Sequence, residues 1–596
     1  MPSYVAPIQD YRFLLHHVIK MQDHTDLPPY QEATPDLIDA ILEEAGKIST
    51  ELLHPLNQSG DAQGCRLDGD QVLTPDGFKD AYRTYCQGGW LSLVGNPEYG
   101  GQGLPRILGL AVDELAVSAN WGLAMYAGLT NGAAAAIDVW GTDIQKQAYL
   151  PRMLSGDWAG TMNLTEPHCG TDLGLIRTKA EPAEDGSYRL TGTKIFISAG
   201  DHDLTENIIH LVLARVPGGP EGVKGISLFI VPKILIKDDG TLGERNAVSC
   251  GALEHKMGIH SNATCVMNYD GATGYLLGDL HEGMRAMFTM MNEARLGVAV
   301  QGLAIAEIAQ QNAATYARDR LQGRALTGPK APDKAADPII VHPDVRRNLM
   351  LNRAFIEGAR ALVMWTGLQV DLSHSHPDED RRKGALDFVA LLTPVLKSYL
   401  TDEGFQATSR ALQCFGGHGY IREWGMEQFM RDARIAPIYE GTNGIQAMDL
   451  IGRKLPADNG RAIRAYFALI QQAIDDIPED DRLKNYAASL EQAKEALQKA
   501  SLWLMEHAMK NPDHAGGAAQ NYLNLMALNA LGHMWLLMAK EAYSHLQLND
   551  GDADFMHNKL KTADFFFAHI LPDSQAYLAK ITAGADSIMA LEAEAF

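Results

Sequence analysis

Residues 411–446 read ALQCFGGHGYIREWGMEQFMRDARIAPIYEGTNGIQ. The run closes on Pro437, Ile438, Tyr439, Glu440, Gly441 and Thr442, so that a carboxylate stands between a bulky phenol and a glycine. A glutamate in that setting is either a solvated turn residue or a base aimed into a pocket. Taken alone, the stretch favours the turn, because glycine and small polar residues are turn formers. The rest of the chain has to decide.

Upstream, long helical text runs from GMRAMFTMMNEARLGVAVQGLAIAEIAQQNAATYARDRL to about Leu455. It is broken by LTGPKAPDKAADP (326–338), whose three prolines predict an exposed, mobile loop. Before it, residues 158–279 hold short runs bounded by Gly, Asp and Pro: AGTMNL, YRLTGTKIFIS, NIIHLVLARV, GISLFIVP and ATCVMNYD. Branched and aromatic residues at that spacing describe a β-module. Residues 35–157 read mostly as helix, with Leu37, Ile38, Ile41 and Leu42 on one face of DLIDAILEEAGKIS. Past Leu455 comes a further helical block. In it Ile463, Tyr466, Phe467, Ile470, Ile474 and Ile477 form an apolar stripe that stops at Pro478. The predicted fold class is α+β: a 1–34 extension, helices over 35–157, a β-domain over 158–279, helices over 280–455 and an added helical domain over 456–596.

A chain of 596 residues exceeds the ~250–300 at which single cores stop growing, so several domains are expected. With 51 basic against 74 acidic side chains the net charge is −23. That disfavours nucleic acid or an anionic membrane surface as the main partner. Cys65, Cys86, Cys169, Cys250, Cys265 and Cys414 are scattered without a CxxC pair, which suggests reduced thiols and a cytoplasmic location. MPSYVAPIQDYRF does not read as a secretory signal. The apolar segment 523–540 is interrupted by Asn524, Asn529 and His533 and reads as a buried helix, so no membrane insertion is expected.

Several familiar sites are disfavoured by spacing. GGQG (100–103) and GGHG (416–419) are not the GxGxxG of a dinucleotide fold. His168, His260 and His418 lie far apart without HxxH or HExxH spacing, so no metal site is expected. No GxSxG elbow marks a serine hydrolase. MNLTEPHCGTDLG (162–174) is more informative: Thr165, Thr171 and Asp172 surround a turn at the exit of a β run. Hydroxyls and backbone N–H groups there suit a polar heterocycle or a phosphate, though an ordinary capped turn reads the same way. In KIFISAG (194–200), strand alternation puts Phe196 and Ser198 on one face, an aromatic plate beside a hydroxyl.

Taken together, LTEPHCGTD, KIFISAG, YARDRLQGR and the 411–446 run resemble the successive signatures of the acyl-CoA dehydrogenase superfamily, in order, over about residues 80–455. The added C-terminal domain makes the chain similar to a bacterial branch of that family. The resemblance implies an N-terminal helical domain, a middle β-domain and a C-terminal four-helix domain, with FAD as cofactor. It implies that Thr165 meets the flavin pyrimidine edge, Ser198 the N5 region and Phe196 the ring face. Met162, Leu164 and Gly170 would bind the cofactor beside them, and Thr171 would sit near the pyrophosphate and the CoA entrance. Arg320, Gln413 and Gly417 would hold the adenosine half of FAD from a neighbouring subunit, and Thr442 and Gln446 its side of the catalytic loop. Arg295, Tyr439 and Gly441 would face the acyl-CoA substrate.

In this reading Glu440 becomes the base that removes the α-proton of an acyl thioester while the β-hydrogen leaves as hydride to flavin. A carboxylate suits the task, because burial beside an apolar ligand lifts a carboxyl group toward the working range. RLQGR is a residue shorter than the commoner family segment and lacks its Phe, and Gly444 stands where relatives often carry Glu or Gln. The resemblance implies oxidation of 3-methylmercaptopropionyl-CoA by a homodimer that passes electrons to an electron-transfer flavoprotein. A fatty acyl-CoA dehydrogenase of broad chain length, an acyl-CoA oxidase and a non-catalytic flavin-binding assembly subunit stay open as alternatives.

Overall fold

The computed structural model describes every residue except Met1 and Asp238. These residues form two compact units, 43–297 and 1–42 with 298–596.

In the first unit, helices α1 (Arg106–Trp140) and α2 (Asp143–Leu154) precede a seven-stranded sheet. α2 opens on a capping box in which Thr142 and Gln145 satisfy each other's backbone N–H groups. α1 is the one described helix long and apolar enough to cross a membrane; 89% of that window is buried inside the protein, as in a core helix. The strands are β1 (Trp158–Asn163), β2 (Lys179–Pro182), β3 (Tyr188–Ser198), β4 (Asn207–Arg215), β5 (Ile226–Pro232), β6 (Val248–Leu253) and β7 (Thr264–Leu277). β7 pairs with β3 over its first part and with β5 over its end, and β5 pairs with β4. Since β4 also touches β2, which pairs with β3, the ladder closes on itself.

β4 and β5 are buried almost throughout, which explains their unbroken apolar text in place of alternation. Trp158, Ile209 and Leu211 pack with Ile137 of α1, while Val212, Phe229 and Tyr269 fill the other side. A Cβ on Gly160 would lie 2.5 Å from that of Ala133, so glycine lets β1 settle onto α1. The mostly helical reading of 35–157 omits a two-stranded hairpin, Arg66–Asp68 with Gln71–Leu73.

α3 (Gly283–Asp319) leads to α4 (Pro343–Ser375), α5 (Glu379–Phe415), α6 (Met426–Ala433) and α7 (Asn443–Asp449). The added domain supplies α8 (Arg461–Asp475), α9 (Asp481–His507), α10 (Pro512–Leu548), α11 (Ala553–His569) and α12 (Asp573–Thr582). α3 and α5 cross at backbone contact: a Cβ on Gly404 would lie 2.3 Å from the Gly302 carbonyl oxygen. α10 is the buried axis of the added domain, and its Trp535 donates to the Ala354 carbonyl of α4 at 3.0 Å.

The N-terminal extension packs on these same helices. Ser3 and Asn312 exchange two hydrogen bonds, and Tyr30 donates to Asp371 at 2.8 Å. Buried Asp10 accepts from Arg360 at 2.5 Å and from Lys559; Arg360 also meets Glu307, and Lys559 meets Glu357 at 2.7 Å. Three carboxylates and two cations, drawn from the extension, α3, α4 and α11, thus share one site.

The loop 326–338 is exposed as expected, and Asp337 anchors it. Its buried carboxylate accepts from the backbone N–H groups of Ala325, Lys330 and Ala331 and from Arg324. Removal from water opposes ionisation, yet these donors hold the carboxyl at about 2.

Candidate active site

The β-domain carries the first group of residues. β1 ends at Asn163, and the turn beyond it is fixed from below by a buried ion pair. Lys194 of β3, fully buried, donates to Glu166 at 2.8 Å and to the Leu164 carbonyl at 2.9 Å. Glu166 also accepts from the Thr178 hydroxyl at 2.6 Å and from the backbone N–H groups of Arg177 and Thr178. Burial pushes Lys194 down to about 8 even beside its partner, while Lys194 and these donors hold Glu166 below the ordinary range against the pull of burial. The carboxylate lies near His168 and Cys169, but its oxygens are already committed. Ile195 N–H donates to the Thr165 carbonyl at 2.9 Å, and the Thr165 side chain is half-buried. Glu166 and Cys169 exchange two backbone bonds, and the turn they close presents Gly170 and Thr171 to solvent. Met162 is buried.

Phe196 departs from simple alternation. Between the Cys265↔Ile197 and Met267↔Lys194 pairs, β3 spends one residue more than β7, a bulge. Phe196 there adopts φ 59°, a left-handed conformation uncommon for a bulky side chain, and is 60% exposed. Beyond the bulge Ile197 points inward, and Ser198 returns to the outer side with Phe196. The Ser198 carbonyl accepts from Thr161 at 2.7 Å. An outward aromatic ring with Ser198 on the same side of the strand, next to the strand position that bonds the Thr165 carbonyl, suits a flat heterocycle that stacks and hydrogen-bonds. Arg295, on α3, is buried with its guanidinium 5.8 Å from the Phe288 ring.

The second unit holds the other two groups. At the ends of α3 and α5, Tyr316 stacks on Phe415 at 4.1 Å and shares a hydrogen bond with His418 Nδ1 at 2.9 Å. His418 in turn lies flat on Trp424 at 4.5 Å. This stack ties the end of α3, one turn before exposed Arg320, to the turn bearing exposed Gln413 and Gly417. A Cβ on Gly417 would meet nothing within 4 Å, so the surface there is open.

The loop 437–446 follows α6. Glu440 is half-buried in left-handed backbone at φ 57°, and Gly441 follows at φ 85°. A left-handed non-glycine residue costs roughly 1–2 kcal/mol, and such strain concentrates at functional sites. The neighbours hold it in place. Tyr439 donates its hydroxyl to Gln301 of α3. Asn443 N–H reaches the Pro437 carbonyl at 3.0 Å, and the Thr442 hydroxyl caps α7 at Ile445 N–H. Gln446, 1% exposed, donates to the carbonyls of Glu440 and Gly441, both at 3.3 Å. The carboxylate of the opening motif therefore sits in a turn, but in one built to hold it.

Sequence reasoning passed over Lys194, Glu166, Gln301 and Lys397. Two left a visible signal: Lys194 in TKIFIS and Lys397 in LLTPVLKSYL are lone cations inside apolar runs. Such residues are seldom fully buried unless paired.

Four family descriptions match the chain in order. They are acyl-CoA dehydrogenase N-terminal domain (66–157), middle domain (161–272) and C-terminal domain (281–455), then acetyl-CoA dehydrogenase C-terminal like (466–592). The 3-methylmercaptopropionyl-CoA dehydrogenase of Ruegeria pomeroyi is 43% identical over 588 residues, 98% of this chain and 99% of its own. A broad-specificity linear acyl-CoA dehydrogenase of Mycobacterium tuberculosis is 32% identical over the whole of both chains. A solved acyl-CoA dehydrogenase from Bacillus anthracis, complexed with FAD, superposes with a TM-score of 0.75 at 21% identity, covering 92% of this chain and 88% of that one. The chain belongs to the acyl-CoA dehydrogenase family, FAD-dependent oxidoreductases that act on the CH–CH bond of acyl-CoA thioesters.

Proposed function

We propose that this enzyme converts 3-methylmercaptopropionyl-CoA to methylthioacryloyl-CoA, with Glu440 as the base. The substrate reading rests on the relative of that name, similar along nearly the full length of both chains. The base reading rests on one observation: a carboxylate kept in left-handed backbone by a loop in which Tyr439, Thr442, Asn443 and Gln446 are each hydrogen-bonded in place.

Bound FAD supplies the hydride acceptor. Phe196 would hold the flavin ring, Thr165 and Ser198 its polar edge, and Thr171 the pyrophosphate. Arg320, Gln413 and Gly417 of a neighbouring subunit grip the adenosine half, the planar guanidinium suiting a phosphate. The Glu440 carboxylate takes the α-proton as the β-hydrogen departs with its electron pair, and the two carbons keep the new double bond. The Glu440 backbone N–H polarises the thioester carbonyl as negative charge develops there, while Tyr439 and Gly441 shape the pocket. The enzyme works as a cytoplasmic homodimer, and electrons leave to an electron-transfer flavoprotein. Exposed Tyr420 and Ile421, beside the Gln413–Gly417 turn, provide apolar surface for the second subunit.

Glu440→Gln tests the base. The variant is expected to keep its flavin and to lose the ~10²–10⁴ in kcat that a general base supplies. Retention of more than about a tenth of wild-type turnover would contradict that role. Light scattering that finds a stable FAD-loaded monomer removes the shared cofactor site. A second reading, a dehydrogenase of broad chain length, is favoured by the full-length match to the mycobacterial relative.

A further inference from the structure

The loop that carries Glu440 is backed by two layers, and the outer one belongs to the added domain. α7 leaves the loop directly and packs on α5 on one side and on α10 on another. Asn443, its first residue, is buried and uses both ends of its amide. Its oxygen accepts from Lys397 Nζ at 2.8 Å, and its nitrogen donates to the Ser398 carbonyl and the Thr401 hydroxyl, both at 3.0 Å. Lys397 is fully buried in the middle of α5, with Asp402 facing both it and Asn443. The Ser398 hydroxyl then accepts from Gln520 of α10 at 3.3 Å, and Gln520 also reaches Asn524 at 3.2 Å. Ser398 of α5 thus meets the added domain through its hydroxyl and, through its carbonyl, the residue three positions past Glu440.

We infer that Lys397, Ser398 and Gln520 are positioning residues that hold the Glu440 loop in its left-handed turn, so that the added helical domain is part of the catalytic device. A buried amide satisfied on every side fixes the start of α7. That start fixes where Gln446 meets the carbonyls of Glu440 and Gly441. An ammonium with no access to water keeps its bond to Asn443 whenever the loop is closed, because release would leave both groups buried and unmet. This inference rests on the assignment of Glu440 as the base.

The test uses the full-length, FAD-loaded enzyme with Lys397→Met and Gln520→Leu, two near-isosteric changes outside the residues assigned to flavin and thioester. Three quantities are read: the anaerobic rate of flavin reduction at saturating thioester, the thioester Kd, and hydrogen exchange in the peptide spanning 437–446. Small misplacement of a reacting group lowers rate more than affinity, so Lys397→Met is expected to slow reduction roughly 10-fold and Gln520→Leu about 3-fold. Kd should be unchanged and exchange in the loop faster in both. Gln520 is only half-buried, so its variant folds even if Lys397→Met does not. Wild-type reduction rates, or slower reduction with unchanged loop exchange, overturn the inference. Glu440→Gln run alongside separates the two claims. If it reduces flavin as fast as wild type, the base reading falls. If it is silent while both positioning variants match wild type, only the inference falls.

Discussion

Phe196 in the β-domain and Glu440 in the helical unit both occupy left-handed backbone, at φ 59° and φ 57°, yet different forces keep them there. Phe196 sits on a bulge between paired strands, with the Lys194–Glu166 ion pair beneath it and the Thr264↔Ser198 pair just beyond. Its support is local ladder plus one strong buried charge pair. Glu440 has no ladder. Its support comes from the amides of Gln301 on α3 and of Asn443 and Gln446 on α7, with the buried Lys397 ammonium of α5 behind Asn443. A turn built into a sheet is preformed when the sheet is. A turn clamped by side chains from several helices depends on the packing of all of them and belongs to the part of a protein that opens more easily.

The sharpest way to break this comparison is Lys194→Met. It leaves Glu166, 3% exposed, as an uncompensated buried carboxylate, and removal of one partner from such a pair costs about 3–5 kcal/mol. A fall in the urea midpoint and a low flavin-to-protein ratio are expected, while the corresponding loss at the Glu440 loop, Gln520→Leu, should leave the midpoint nearly unchanged.

Acid separates the two regions less abruptly. In the β-domain, burial first and the nearby Lys233 ammonium second depress His202 and His210 to about 3, whereas burial depresses His533 of α10 to about 4. These imidazoles are neutral in the native protein, and in the unfolded chain they take up protons below about 6.5. Stability therefore falls as pH drops from about 6.5 toward 4, by about 1.4 kcal/mol per pH unit for each group. Urea midpoints at successive pH values should fall over that window. With the two more strongly depressed imidazoles, the β-domain should lose exchange protection at higher pH than the helical unit.

The smallest effect concerns the clamp itself. Gly441→Ala places a Cβ at φ 85°, a strain of roughly 1–2 kcal/mol. It should lower turnover and barely move the thermal midpoint, since only the loop absorbs it.

Much of this architecture is legible in the sequence because it is written in local periods. β1, β3, β4, β5 and β7 fall where short branched runs stand between turn residues, and α8 follows the Ile463–Ile474 stripe. What local text does not carry is pairing across long separations. Nothing near Asp10 announces Arg360 or Lys559, and nothing in PIYEGTNGIQ announces Gln301 or Lys397, because an ion pair or amide bond leaves no periodic trace. The bulge at Phe196 was hidden for a related reason: a one-residue excess in a strand is set by its partner's register, not by its own alternation. Asp337 is a third case, a single carboxylate that gathers three backbone N–H groups of a proline-rich loop, a role its composition does not reveal.

The proposed reaction is dehydrogenation of a short thioether acyl-CoA. The most direct measurement is anaerobic loss of the visible flavin band on mixing with 3-methylmercaptopropionyl-CoA, beside butyryl-, octanoyl- and palmitoyl-CoA. Fast bleaching by the thioether substrate, followed by the short chain, is the expected result. Bleaching led by palmitoyl-CoA would make this a long-chain enzyme, and no bleaching by any of the four would contradict the proposal outright.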